Sequence, residues 1–228
     1  MGKTRLPPRS FRDEDLTTEA EAQQFINTAI TGHLDEFHGG GNGSNLPIGW
    51  KDNVITLNAG NTGNPNKSPL FADSGNGIWG YCFSDENKNF AFADFHINHD
   101  YKIGTKIYPH IHWVPMSYST GDVRWVIEYT FAKGHQQGDV LTGVTNSIVL
   151  TAPGKGLIGE HMLTECSEVQ AFTVQEPDTI VRIRLYRDGA HVDDTFYGGV
   201  LAIMLDFHYE SDRESTPQKE PDFYVENS

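Results

Sequence analysis

Residues 123–131, VRWVIEYTF, alternate apolar and more polar side chains with a period of two. Successive residues of a β-strand point to opposite faces of a sheet, so this alternation is typical of a strand with one buried face. Similar short segments recur along residues 46–212, where they are separated by Gly, Asn, Asp and Pro turns. The pattern predicts about eight to ten strands that form an all-β sandwich or barrel.

The alternation also predicts which side chains face the core. In residues 123–131 the predicted core face holds Val123, Trp125 and Ile127. In the last long strand we expect it to hold Leu201, Ile203, Leu205, Phe207 and Tyr209. The opposite faces together carry histidines and charges: His110, His112, Arg124, Glu128, Arg182, Arg184, Asp206 and His208. A mixed face of this kind is typical of a subunit interface or a solvated sheet, and buried charges on it need partners.

Residues 17–37 have a helical pattern instead. Thr18 and Glu21 have the spacing of a capping box at a helix N-terminus. Apolar residues then recur at helical spacing: Phe25, Ile26, Ala29, Ile30, Leu34 and Phe37. The Gly-rich run HGGGNGSN ends the predicted helix. A single amphipathic helix needs a surface to cover its stripe, which is either its own domain or a partner in an assembly.

These patterns divide the chain into three regions. Residues 1–45 are predicted to be a helical arm with a Gly-rich hinge, and residues 46–212 the β-domain. Residues 213–228 are polar and contain proline, which indicates an extended C-terminal arm.

Composition narrows the classes of function. The chain has 17 Lys and Arg against 31 Asp and Glu, a formal charge of -14, which disfavours nucleic-acid binding. The sequence contains no apolar run of about 18 residues, so we expect no membrane-spanning helix. Cys82 and Cys166 form no CxxC pattern, so we expect two reduced core cysteines.

His110 and His112 lie two apart in a predicted strand, and therefore on one face. A metal site is one hypothesis, with Glu128 and His208 to complete it. That set resembles the cupin pattern of an HxH pair, a Glu and a later His. A cupin Glu follows soon after the pair, whereas residues 113–117 contain no acid. The alternative is that the histidines form hydrogen bonds between strands or at an interface. We favour it, and predict no metal site, no cofactor and no catalytic residue.

Four sequence blocks resemble a family of tailed-bacteriophage structural proteins: INHDYKIGTKIYPHIHWVP, GDVRWVIEYTFA, RIRLYRD and LAIMLDFHYESD. The resemblance covers residues 78–212, and Asn98 stands where the family usually has proline. The matching positions are Gly104, Pro109, His110, His112, Trp113, Pro115, Trp125, Glu128, Tyr129, Arg184, Arg187, Asp206, His208 and Tyr209. The resemblance implies a jelly-roll-like β-sandwich within a virion, with no enzyme activity and no cofactor.

We therefore expect a virion structural protein, either a head decoration (cement) protein or a head–tail accessory protein. Its expected partners are its own copies, as a trimer, and other virion proteins such as the major capsid or tail proteins. The predicted interface residues are Phe25, Ile26, Ile30, Leu34, His110, His112, Arg182, Arg184 and His208.

Two alternatives stay open. One is a cupin-like metal enzyme that uses His110, His112, Glu128 and His208. The other is a tail-associated carbohydrate- or receptor-binding module with exposed aromatics such as Trp50, Trp79 and Tyr118.

Overall fold

A computed structural model describes residues 49–59, 67–75, 77–135 and 146–212, together with residues 216 and 219. The predicted helical arm lies outside these residues, as does nearly all of the predicted C-terminal arm. No helix in the described ranges is long and apolar enough to cross a membrane. The described ranges contain ten strands: β1 (Gly49–Asp52), β2 (Leu70–Asp73), β3 (Trp79–Phe83), β4 (Ala91–His96), β5 (Ile107–Pro115), β6 (Thr120–Ala132), β7 (Asn146–Lys155), β8 (Met162–Glu165), β9 (Ile180–Arg187) and β10 (Val200–Ser211).

The strands form two antiparallel sheets, which confirms the all-β prediction. The six-stranded sheet has the order β2-β3-β10-β5-β8, and β1 pairs with the far end of β10. The four-stranded sheet has the order β4-β9-β6-β7. From β3 to β10 each connection passes from one sheet to the other, except the one between β6 and β7. This is a jelly-roll-like arrangement of strands.

Aromatic and aliphatic side chains from both sheets fill the space between them. Trp113 of β5 packs edge-on against Trp125 of β6, with ring centroids 6.2 Å apart. Phe83 also packs edge-on against Trp125, with ring centroids 5.2 Å apart. Val123, Trp125 and Ile127 are fully buried in this core, so the predicted face of residues 123–131 is confirmed. Burial of each such side chain contributes about 1.5–3 kcal/mol to stability.

The alternation of β10 is interrupted near its middle. Its pairing with β5 shifts by one residue between Ala202 and Met204, which makes Ile203 a β-bulge. Val200 and Ala202 consequently belong to the core before the bulge, and Leu205, Phe207 and Tyr209 belong to it afterwards. The prediction that Leu201 and Ile203 share the core face with Leu205 was therefore wrong.

The sequence pattern predicts strands at residues 53–58, NVITLN, and 167–174, SEVQAFTV, and the structure has a regular strand at neither. Residues 167–174 form a turn with one isolated bridge at Phe172. The strand lies just before them, as β8, where Met162 and Thr164 are buried and Leu163 and Glu165 point outward. Residues 53–58 make only two isolated bridges, at Ile55 and Asn58.

A buried ion pair fixes the loop between β9 and β10. The side chains of Arg187 and Asp194 are 0% and 1% exposed and form two hydrogen bonds, of 2.9 and 2.6 Å. Arg187 also donates to the carbonyl oxygens of Phe196 and Gly198. The loop approaches β6 so closely that a Cβ on Gly121, whose φ is +139°, would overlap the Thr195 carbonyl oxygen.

Candidate functional site

Strand register brings histidines and carboxylates together on the outer face of the six-stranded sheet. His110 of β5 lies opposite Asp206 of β10 on one side and opposite Glu165 of β8 on the other. His208 of β10 lies opposite Asp52 of β1. Directly opposite residues in antiparallel strands point to the same face. We call the group formed by His110, His112, Glu165, Asp206 and His208 the histidine cluster.

His110 is the buried centre of this cluster, with a side chain that is 1% exposed. Its Nδ1 lies 3.8 Å from Oε1 of Glu165, and its Nε2 lies 3.6 Å from Oδ2 of Asp206. Both distances exceed a hydrogen bond, and Nδ1 has no hydrogen-bond partner in the structure. Burial, and then the nearby His208, lower the pKa of His110 below its ordinary value. The ring is therefore a neutral imidazole near neutral pH.

His208 lies between two carboxylates. Its Nδ1 is 2.5 Å from Oε1 of Glu165, and its Nε2 is 2.7 Å from Oδ1 of Asp52. The ring centroids of His110 and His208 are 4.3 Å apart. The Glu165 carboxylate therefore faces Nδ1 of both imidazoles, while another carboxylate faces Nε2 of each.

His112 contacts a histidine that the sequence pattern did not single out. Its Nδ1 is 2.7 Å from Nε2 of His161, and the two rings are nearly parallel. The buried Nε2 of His112 has no hydrogen-bond partner. Burial, followed by the neighbouring His110 and His161, lowers the pKa of His112.

A cleft of about 430 Å³ opens beside the cluster. Its lining residues are Trp50, Asp52, Tyr108, Glu165 and His208. The rings of Trp50 and Tyr108 meet edge-on at 5.6 Å, and Trp50 is 60% exposed. The cleft thus combines exposed aromatic surface with two carboxylates and an imidazole, a mixture typical of ligand sites.

The predicted site residues do not all meet. Glu128 lies in the four-stranded sheet, where it accepts a hydrogen bond from Nε of Arg184 at 2.5 Å and another from the Tyr186 hydroxyl. The cupin-like set of His110, His112, Glu128 and His208 is therefore not assembled. The carboxylates beside the histidines are Glu165 and Asp206 instead.

The predicted interface set is also divided. His110, His112 and His208 lie on the outer face of the six-stranded sheet, whereas Arg182 and Arg184 belong to the four-stranded sheet. We expected one sheet face to carry all five of these side chains, and this was wrong, because the two sheets lie on opposite sides of the core. Phe25, Ile26, Ile30 and Leu34 lie outside the described residues.

Sequence reasoning missed Glu165, Asp52 and His161 as neighbours of the histidines. Glu165 could have been found from its strand, because MLTE alternates apolar and polar residues in the same way as the longer strands. Asp52 and His161 give no such signal, since one lies at a strand end and the other lies just before a strand.

No protein-family model and no curated protein matches this sequence. Among solved structures, the chain is similar to dimeric latent PorU from Porphyromonas gingivalis (13% identity, TM-score 0.34), covering 76% of this chain and 14% of that one. It is similar to the enzymatically active domain of bacteriophage CBA120 tailspike protein 4 (10%, 0.32), covering 70% and 19%. It is also similar to the CBM35 module of Cellvibrio japonicus Abf62 (7%, 0.31), covering 73% and 99%. The chain thus spans under a fifth of the first two proteins, and with TM-scores this low, function has to be argued from the site itself.

Proposed function

We propose that this chain is a structural protein of a tailed-bacteriophage particle, a head decoration or head–tail accessory protein that acts by binding its neighbours. The observation that carries this proposal is an exposed row of aromatic rings on the hairpin of β2 and β3. We call Phe71, Trp79 and Tyr81 the aromatic edge. The sequence blocks that resemble phage structural proteins support the same proposal.

The aromatic edge extends the core into solvent. Trp79, Tyr81 and Phe83 share one face of β3, and Phe83 is fully buried in the core. Phe71 stacks on Trp79 with ring centroids 5.7 Å apart and meets Tyr81 edge-on at 5.2 Å. Phe71 and Trp79 are nevertheless 60% and 55% exposed. Contiguous exposed aromatic surface is typical of protein–protein contacts, where such residues provide much of the binding energy.

The blocks that carry the resemblance have structural roles in this fold. Trp113 and Trp125 lie in the core, and Arg187 is fixed by the buried Asp194. Burial raises the pKa of the Cys166 thiol to about 12, so this cysteine stays protonated and is a poor nucleophile. These features support a scaffold that binds partners.

Composition of the particle tests the proposal directly. Particles assembled from the genome that encodes this chain are purified on a density gradient and analysed by quantitative mass spectrometry. We expect the chain at a fixed copy number per particle. Its absence from purified, infectious particles would overturn the proposal.

Self-association through the aromatic edge has a separate test. We propose a trimer, so light scattering is expected to give a mass near three times 25.5 kDa for the wild type. The double variant Phe71→Ser/Trp79→Ser is expected to be a monomer. Tyr118→Ser is the control, since Tyr118 is 75% exposed and is not part of the aromatic edge. A monomeric wild type, or an unchanged mass in the double variant, would contradict this assembly.

A second candidate function is carbohydrate or receptor binding in the cleft beside Trp50. Aromatic rings stack on apolar sugar faces, and nearby carboxylates accept hydrogen bonds from hydroxyl groups. Calorimetry with soluble oligosaccharides of bacterial surfaces tests it. We expect saturable binding that Trp50→Ala abolishes and Trp79→Ala retains, because Trp79 does not line the cleft. Binding that is indifferent to Trp50→Ala would exclude this cleft.

A further inference from the structure

We propose that Nδ1 of His110, Nδ1 of His208 and the carboxylate of Glu165 bind one divalent transition-metal ion, of which Zn²⁺ is the representative. A fourth coordination position faces the cleft lined by Trp50 and Tyr108. This inference is independent of whether the chain belongs to a virion, and its ligand set differs from the HxH pattern that the sequence suggests.

The three donor groups have distances suited to a shared ion. Their ligand atoms all lie within 4.8 Å of one another. Oε1 of Glu165 is 3.8 Å from Nδ1 of His110 and 2.5 Å from Nδ1 of His208. Ligand atoms around tetrahedral zinc are about 3.3 Å apart, given metal–ligand bonds of about 2.0–2.1 Å. These two distances lie on either side of this value, so the histidine and Glu165 side chains would rotate to place the three atoms around an ion.

The buried His110 supplies the observation that points to a ligand. Its side chain is 1% exposed, and its Nδ1 faces the Glu165 carboxylate without a hydrogen-bond partner. A buried polar atom without a partner is costly to the folded state. A metal ion would use the lone pair of that atom as a ligand.

Two further carboxylates face the other ring nitrogens of the imidazoles. Oδ1 of Asp52 is 2.7 Å from Nε2 of His208, and Oδ2 of Asp206 is 3.6 Å from Nε2 of His110. A histidine that binds metal through one ring nitrogen commonly donates the other N–H to a carboxylate, which fixes its tautomer. His208 has this arrangement through Asp52, whereas Asp206 faces Nε2 of His110 at 3.6 Å, which is longer than a hydrogen bond.

The donor types select the class of ion. Two imidazoles with one carboxylate suit zinc, iron, cobalt, nickel or copper, whereas calcium and magnesium prefer oxygen ligands alone. Asp52, Glu165 and Asp206 also place negative charge around a cation.

A second set of donors, His110, His112 and Asp206, is also close together. It shares His110 with the first set, but Asp206 faces Nε2 of that ring instead of Nδ1. We assign the ion to the first set because Glu165 and His208 line the cleft. Three protein ligands leave a position free for water or for an oxygen donor of a bound molecule.

Zinc titration of the metal-free full chain tests the proposal. Isothermal calorimetry and elemental analysis after gel filtration are expected to give one zinc per chain. His208→Ala and Glu165→Gln, whose side chains are 35% and 38% exposed, are expected to fold and to bind zinc at least tenfold more weakly. Circular dichroism confirms that both variants fold. His191→Ala, in the loop after β9, is the control and is expected to bind like the wild type.

Two outcomes would overturn the assignment. One is a wild type that binds no zinc, or binds it no more tightly than His208→Ala. The other is loss of zinc in His112→Ala with full retention in His208→Ala, which would assign the ion to the second set. Cobalt(II) gives an independent measurement, since coordination by imidazole produces visible absorption bands. We expect these bands in the wild type and in His191→Ala, and expect them to be lost in His208→Ala.

Discussion

The outer faces of the two sheets differ in how their basic side chains are paired with carboxylates. On the outer face of the four-stranded sheet, two arginines of β9 lie beside carboxylates: Arg182 donates to Asp94 at 2.6 Å, and Arg184 donates to Glu128 at 2.5 Å. These partners are directly opposite each other across β9 and its neighbouring strands. On the six-stranded sheet, His110 lies 3.6 to 3.8 Å from two carboxylates and forms a hydrogen bond with neither.

The difference follows from the chemistry of the cations. A guanidinium is permanently charged and matches a carboxylate with two parallel N–H groups, so such pairs are complete in themselves. A neutral imidazole has one lone pair that needs a donor or a metal ion. Arg182 and Arg184 on the four-stranded sheet therefore have their partners already, whereas His110 on the six-stranded sheet can still accept a ligand.

The largest effect is expected for the buried pair at the end of β9. Asp194→Ala leaves the Arg187 guanidinium buried and without its carboxylate. Breaking a buried pair in this way costs about 3–5 kcal/mol of unfolding free energy. Urea denaturation measures the loss. Asp94→Ala is the matched control, because Asp94 pairs with Arg182 in solvent, and an equally large loss there would contradict the distinction.

Zinc is expected to stabilise the protein through the six-stranded sheet alone. At a free zinc concentration 100-fold above the dissociation constant, ligand linkage raises the unfolding free energy by about 2.7 kcal/mol. The rise is measured from denaturation curves with and without zinc. It should vanish in His208→Ala and persist in Arg184→Gln, which changes the opposite sheet. Equal loss in both variants would show that the two faces do not differ in this respect.

Without metal, His110→Leu is expected to increase stability. The substitution removes a buried ring nitrogen that has no partner and keeps apolar volume in its place. Removing an unsatisfied buried polar atom should raise the unfolding free energy by about 1 kcal/mol. Denaturation in the presence of a chelator measures the gain, and saturating zinc should reverse the order of the two proteins. A clear loss of stability in chelator would mean that His110 is satisfied as it stands.

The smallest effect is expected for the exposed pair on the four-stranded sheet. Arg182 and Asp94 are 54% and 56% exposed, so Arg182→Ala should lower the unfolding free energy by less than about 0.5 kcal/mol. High salt screens exposed charges, and the difference should disappear at about 1 M NaCl. Arg184→Ala is the comparison, since its partner Glu128 is only 15% exposed and a larger loss is expected.

Period-two alternation predicted the faces of the strands well. Trp125 and Ile127 are buried and Glu128 points away from the core, because burial on one side of a sheet dictates the pattern directly. The outward direction of His110 and His208 was predictable for the same reason. The alternation does not state which sheet a strand joins, and Glu128 was therefore grouped with histidines that lie on the other side of the core.

The neighbours of the histidines depend on pairing between distant segments. His110 meets Glu165 and Asp206 only because β5 lies between β8 and β10 in one register. These contacts span more than 50 residues of chain, and no local pattern specifies them. Local composition could reveal candidate ligands on each strand, but only the order of the strands in the sheet brings those ligands together.

The bulge at Ile203 means that β10 has one residue more than the segment of β5 with which it pairs. A deletion of one residue near the bulge could be absorbed if the strand became regular, with Asp206 and His208 still directed outward. An insertion cannot be absorbed in this way. One added residue would exchange the inward and outward positions of the rest of the strand. Length variation in β10 should therefore be asymmetric, so that relatives of this chain shorten the strand more readily than they lengthen it.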